Sequence, residues 1–173
     1  LDKILYSGKW LSIIERDGWY VFSQETTSKG IVYILVTDTS REKPILGRFE
    51  ICPAHGDKVI TLTSITGGIN IKREPLDVVI EGIYEEAGYR VLPKQIIDLG
   101  KVNLTKSTDT IGYLYAVDVM GLERGKAPGD GSFGEIGSYC DWVSVNEAIR
   151  CKCPVMATLL LRYQNQNLDI FIS

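Results

Sequence analysis

The chain has 173 residues, 45% hydrophobic and 24% charged, and nineteen basic residues against twenty-two acidic ones leave a formal charge of -3. That apolar content supports a substantial core, which excludes a disordered chain and a small disulfide-stapled scaffold. No lysine or arginine cluster breaks the mixed charge pattern, so a nucleic-acid-coating or membrane-surface role has little support.

In chain order, Lys9 to Ile14 and Trp19 to Ser23 flank Asp17-Gly18, a hairpin turn signal. Ile31 to Val36 is a β-branched run with little polar interruption, as in a strand buried on both faces. Strands are expected at Ile45 to Cys52 and Val59 to Ile65, with a loop over Pro53 to Asp57 between them. The periodicity then changes. Pro75 suits a first helical turn, where its missing N–H has no intrahelical partner. Leu76, Val79, Ile80, Ile83 and Ala87 come next at helical spacing, and Gly88 stands where such a helix stops.

Two more strands are expected at Ile97 to Leu104 and Ile111 to Val119. Gly121 to Gly137 holds six glycines and reads as a mobile loop, a length that inside a compact domain usually signals function or disorder. Asp141 to Val145 reads as a short strand, Asn146 to Arg150 as a helix start, and Pro154 to Tyr163 as a leucine-rich helix. The whole is expected to form one α/β sandwich-like domain over 29–173, with residues 1–28 as a β appendage.

The four cysteines have no framework spacing and read as reduced thiols, with Cys151-Lys-Cys153 as half of a metal site the lesser alternative. No apolar run approaches the roughly 18–20 residues of a membrane span, and a cytoplasmic location is the default expectation. The single histidine, His55, argues against histidine-based metal cages and triads, so carboxylates must carry most acid–base or metal chemistry.

The predicted helix has an acidic polar side. Asp77, Glu81 and Glu85 lie four apart on one flank, with Glu86 about 100° further round. Like charges at that spacing repel by roughly 0.2–0.5 kcal/mol per pair, a cost a bound cation removes. Mg²⁺ prefers oxygen ligands and retains waters, so a few carboxylates plus substrate phosphates suffice to hold it. A solvated acidic face is the plain alternative.

The segment Gly67 to Tyr89 resembles the Nudix hydrolase motif, G-x5-E-x7-R-E-U-x-E-E-x-G-U with U aliphatic. Ile83 to Tyr89 fits U-x-E-E-x-G-U except for tyrosine at the last position, and Gly68 with Glu74 fits G-x5-E. The interval between the halves is one residue short, and the R-E pair is replaced by Glu81-Gly82. In the family the arginine orients the acidic cluster and its neighbouring glutamate ligates metal; here glycine holds the ligand position. Mid-helix glycine costs about 1 kcal/mol relative to alanine, and local rules break most often at functional sites.

Further likeness to the ADP-ribose pyrophosphatase branch lies in Tyr6 to Trp10, Ile31 to Val36, Ile45 to Phe49, and the late Trp142-Val143 and Glu147-Ala148 element. The resemblance implies a Nudix-type α/β/α sandwich with a mixed central sheet. It also implies Mg²⁺-dependent (or Mn²⁺-dependent) hydrolysis of a nucleoside diphosphate derivative, such as ADP-ribose or a nucleotide sugar. Metal would be held by Glu85 and Glu86, supported by Glu74 and Glu81. Arg48, Gly67 and Gly68 are the candidate substrate contacts; Glu86 and Glu135, the latter in the glycine-rich loop, are the candidate catalytic carboxylates, with Asp130 second to Glu135. The alternative is a Nudix-fold nucleotide-binding protein without turnover, which the Glu81-Gly82 replacement favours. An RNA-cap or nucleotide-pool enzyme has less support because no basic channel is visible. Homodimerisation through the N-terminal appendage is a further expectation of the resemblance.

Overall fold

The computed structural model describes residues 2–9, 11–23, 30–52, 59–70, 72–129 and 137–172, with side chains through residue 166 of the last helix. The fold is organised around strand β4 (Gly30–Thr37), whose apolar run serves both faces of a sheet. Val32, Ile34 and Val36 enter one core, while Leu35 enters a second on the opposite face, joined by the partly buried Tyr33. Every residue of β4 pairs in parallel with β9 (Ile111–Asp118) along one edge. Its other edge is shared: Ile31 to Ile34 pair with β7 (Ile65–Gly68), and Val36 and Thr37 pair with β5 (Ile45–Ile51).

The single strand expected over Val59 to Ile65 is divided. Strand β6 (Ile60–Thr63) pairs with β5, and β7 continues on β4, with Ser64 fully buried at the break. One continuous run of strand-forming residues therefore serves two partners, a choice made by pairing rather than by composition. Strands β8 (Ile96–Asn103) and β10 (Tyr139–Val143) complete a seven-stranded mixed sheet, in which β10, β5, β4, β9 and β8 are successive neighbours.

Helix α1 (Pro75–Gly82) and the turn after it cover one face, where Val78, Val79, Ile83 and Ala87 join the β4 core. Helices α2 (Val145–Ile149) and α3 (Pro154–Ile172) cover the other through Ala148, Met156, Leu159 and Leu160. The result is an α/β/α sandwich. The Glu147-Ala148 pair has a structural role: Ala148 is buried, and Glu147 forms a reciprocal cap with Ser144. Ser144 Oγ accepts from Glu147 N at 3.2 Å, while Ser144 N donates to Glu147 Oε2 at 2.8 Å. Replacing Ser144 by alanine is expected to lower stability by about 1 kcal/mol in urea denaturation. The Ser144 hydroxyl and N–H hold the Glu147 carboxyl below its ordinary pKa. The cap contribution is therefore full above the unfolded carboxylate's pKa and fades as pH falls through the lower folded value.

At the N-terminus β1 (Lys3–Ser7), β2 (Ser12–Arg16) and β3 (Trp19–Ser23) form a separate antiparallel sheet. Asp17 and Gly18 both adopt positive φ, 51° and 81°, which the tight two-residue hairpin expected there requires. Strand β1 has no sequence signal because all five of its residues are exposed. Phe22 ties the sheet to the β8–β9 connection: its N–H donates to Ser107 O at 2.8 Å. Among the described residues no helix is long and apolar enough to cross a membrane, and all four cysteines are unbridged thiols.

Candidate functional site

The acidic segment is shaped by local geometry. Pro75 occupies the first turn of α1, Glu74 caps it in extended conformation, and Gly82 continues it in right-handed helical conformation (φ -60°, ψ -39°). From Ile83 to Ala87 the helix widens into a π turn, which ends at Gly88 with φ 78°. A π turn takes more residues per revolution than an α turn, so it rotates the side chains after it relative to those before it. It divides the acidic row. Glu85 and Glu86 line one cleft of about 340 Å³, whereas Asp77 and Glu81 line a neighbouring one with Arg73, Tyr84 and Arg90.

The first half of the glycine-rich stretch is pinned over this turn, contrary to the mobile loop expected from composition. Gly125 N donates to Gly88 O at 2.9 Å, Gly129 N to Glu85 O at 3.0 Å, and Arg124 Nε to Ala87 O at 2.9 Å. Arg124 also donates from Nη2 to Cys140 O at 3.1 Å, joining the loop to β10.

Antiparallel pairing of β10 with β5 sets Cys140 opposite Arg48. The Arg48 side chain is only 7% exposed, and its Nε lies 3.3 Å from Glu86 Oε2 and 3.7 Å from Glu50 Oε2. Its Nη2 donates to Ser138 Oγ at 2.7 Å. Glu50 is in turn held by Thr63, whose hydroxyl donates to Glu50 Oε1 at 3.2 Å. Burial works against the guanidinium's charge, but Glu86, then Cys140 and Glu50, outweigh it and raise its pKa above the ordinary value. Burial pushes the Cys140 thiol up to about 11, so it stays protonated near neutrality despite Arg48. Tyr139, half exposed at the cleft's rim, stacks on Phe49 with ring centroids 4.9 Å apart.

The structure thus brings together three of the residues expected from sequence, Arg48, Glu85 and Glu86, in one cleft. It does not bring the other described candidates there. Glu81 pairs with Arg73 in the adjacent cleft, and Glu74 is exposed at the start of α1, a full helix away from Glu85. Gly67 and Gly68 do not line the cleft either. Gly67 is a packing position, because a Cβ there would lie 2.7 Å from Val78 Cγ1 where α1 crosses β7. Glu135, Asp130 and His55 lie outside the described residues.

Sequence reasoning missed Glu50, Arg124, Ser138 and Tyr139. Glu50, two residues beyond Arg48 on the same strand, shares its face, and that period-two spacing was the one signal available. Trp19 lines a larger cleft of about 770 Å³ between β3 and the β8–β9 connection, which contains none of these carboxylates.

Among the described residues two lining arginines, Arg48 and Arg124, face two lining carboxylates, and Glu50 behind Arg48 makes their sum one unit negative. Among the described residues no group of three or more histidine, cysteine, aspartate or glutamate side chains is placed to hold a metal. A pair of glutamates fits Mg²⁺ that keeps its waters and takes phosphate oxygens from a substrate; it does not fit an ion caged by protein alone.

The glycine at position 82 is open to a side chain. A Cβ would meet Ile34 Cδ1 at 3.5 Å and Ile65 Cγ2 at 4.0 Å, ordinary contact distances. Gly82→Ala is therefore expected to stabilise the protein by about 1 kcal/mol, measured by urea denaturation, since the helix gains propensity without a clash. The same contacts direct the first atom of any longer side chain against apolar neighbours, so Gly82→Glu begins from a less polar setting than a vacant ligand position in solvent.

A mixed sheet between two helical layers, with an arginine–glutamate cleft at the end of the first helix, defines an α/β/α sandwich with a polar cleft. Among solved structures the chain is similar to one described as an ADP compounds hydrolase, with a TM-score of 0.66 and 11% identity, over 95% of this chain and 93% of that one. No family profile matches the sequence, and no curated protein matches it. At that identity the likeness shows the fold alone, the α/β/α sandwich with a mixed central sheet expected from the sequence.

Proposed function

We propose that the cleft binds the diphosphate of a nucleoside diphosphate derivative, such as ADP-ribose or a nucleotide sugar, and that the chain hydrolyses its pyrophosphate bond. The observation that carries this reading is the meeting of a buried guanidinium, Arg48, with the consecutive glutamates Glu85 and Glu86 in a cleft rimmed by Arg124. Arginine is suited to phosphate oxygens through its planar fork of donors. The exposed face of Tyr139 offers a stacking surface for a base. A dianionic diphosphate entering beside Glu85 and Glu86 requires a cation between the like charges, and these two glutamates would hold Mg²⁺ or Mn²⁺ on the substrate's side. Such an ion, when bound, neutralises charge on the phosphoryl oxygens. Arg48 and Arg124 orient the diphosphate, and a water oxygen attacks one phosphorus as the bridging P–O bond breaks. Glu86 is the carboxylate in the cleft that takes the water's proton, and Glu135 is the loop alternative.

The test is release of AMP from ADP-ribose with Mg²⁺ or Mn²⁺, monitored by chromatography. Release that disappears with chelator supports hydrolysis. A second reading, binding without turnover, is favoured by the glycine at position 82 and by the pairing of Glu86 with Arg48. Calorimetric binding of ADP-ribose with the nucleotide recovered intact would establish it and overturn the hydrolase. Absence of both binding and turnover would overturn the two together.

The N-terminal sheet is proposed as a homodimer interface. Ile4, Tyr6, Trp19, Tyr20 and Phe22 are each at least half exposed on it, an apolar concentration that marks association surfaces. A monomeric mass in light scattering would overturn this proposal.

A further inference from the structure

We propose that Arg48 is a tethered counter-ion that withholds Glu86 from a divalent cation until a diphosphate enters the cleft and takes the guanidinium over. The first half rests on contacts alone, and the second on the diphosphate reading above. A carboxylate paired with a guanidinium at 3.3 Å already has its charge neutralised, so a cation approaching Glu86 must displace a partner rather than find a vacant anion.

The arginine cannot step aside into solvent. Its side chain is 7% exposed, Ser138 Oγ holds one terminal nitrogen, and Glu50 stands behind Nε at 3.7 Å. Breaking the contact with Glu86 therefore leaves a buried cation that needs another anion. Among the described residues Glu50 is one, itself fixed by Thr63, and a phosphate in the cleft supplies another. A diphosphate supplies oxygens to Arg48 and, through its own metal ion, a cation for Glu85 and Glu86. Metal and diphosphate thus bind with positive coupling, and by linkage each raises the other's affinity by the same factor.

The probe is Mn²⁺, measured by electron paramagnetic resonance and calorimetry on the full chain, first without nucleotide. Wild type is expected to bind Mn²⁺ weakly, and Arg48→Met about tenfold or more tightly, since the substitution removes the cation at 3.3 Å that neutralises Glu86. Arg48→Lys, which restores the charge, should return to the weak binding of wild type, an outcome that a purely structural role would not produce. If Arg48→Met fails to fold, Arg48→Gln keeps a donor for Ser138 or Glu86 while removing the charge and is expected to show the same gain. In the second arm ADP-ribose should tighten Mn²⁺ binding to wild type roughly tenfold or more, and the neutral variants should lose most of that coupling. Unchanged Mn²⁺ affinity in the neutral variants overturns the counter-ion itself. Failure of ADP-ribose to bind wild type instead overturns the diphosphate reading and the release step, while the metal-alone arm continues to test the pairing.

Discussion

Replacing Gly88 with alanine is expected to lower stability by about 3 kcal/mol or more and to disorganise the cleft. Two effects add. A left-handed φ of 78° costs a side-chain-bearing residue about 1–2 kcal/mol. In addition, a Cβ there would lie 2.3 Å from the carbonyl oxygen of Gly125, a backbone atom that can retreat only by moving the loop. Overpacking of this kind adds roughly 1–3 kcal/mol. That loop is bonded to the π turn through Gly88 O and Glu85 O, so displacing it also removes part of the cleft wall. Gly121→Ala is the control: it has the same φ of 78° but nothing within 4 Å of its Cβ. Urea denaturation should show the Gly121 variant losing only the backbone penalty. Equal losses at the two positions would refute the close approach of the loop to Gly88.

Glu86→Gln carries the largest expected effect on activity. Under the hydrolase reading it removes a carboxylate that serves as ion ligand and proton acceptor, and AMP release should fall by about 100-fold or more. Stability should change far less, by about 1 kcal/mol, because glutamine keeps the shape and Glu50 still balances Arg48. Measuring turnover and urea denaturation on the same preparation separates the two. Turnover that survives the substitution would place the reaction away from this cleft. Glu81→Gln provides contrast: Glu81 lies in the neighbouring cleft against Arg73, so its removal should leave turnover near that of wild type.

Much of the architecture was legible where structure depends on near neighbours. The apolar run of β4, the Asp17-Gly18 turn, Pro75 at the start of α1 and Gly88 at the end of the π turn that follows it are all visible as residue types at set spacings. Each reports a local steric or burial requirement. The same reasoning failed where a residue's role depends on its partner. The run from Val59 to Ile65 carries no sign that it divides between β5 and β4. An exposed strand such as β1 has no burial pattern to betray it. Composition likewise marked the whole glycine-rich stretch as mobile, although backbone bonds to Gly88 and Glu85 pin its first half.

The candidate site divides along the same line. Adjacent glutamates before a helix-ending glycine, and an arginine within an apolar strand, can be read from the chain because each is a property of consecutive residues. The helical wheel placed Glu85 with Asp77 and Glu81, but within the π turn it lines the cleft of Glu86 instead, since a regular period cannot anticipate a widened turn. That Arg48 lies between Glu86 and Glu50 depends on the register of β5 with its neighbours and on the helix packed over them. Its charge is a property of its side chain, but its partners and burial arise only when strands and a helix far apart in sequence converge. Local chemistry supplied the charged groups; long-range packing set which of them neutralise one another and which face the cleft.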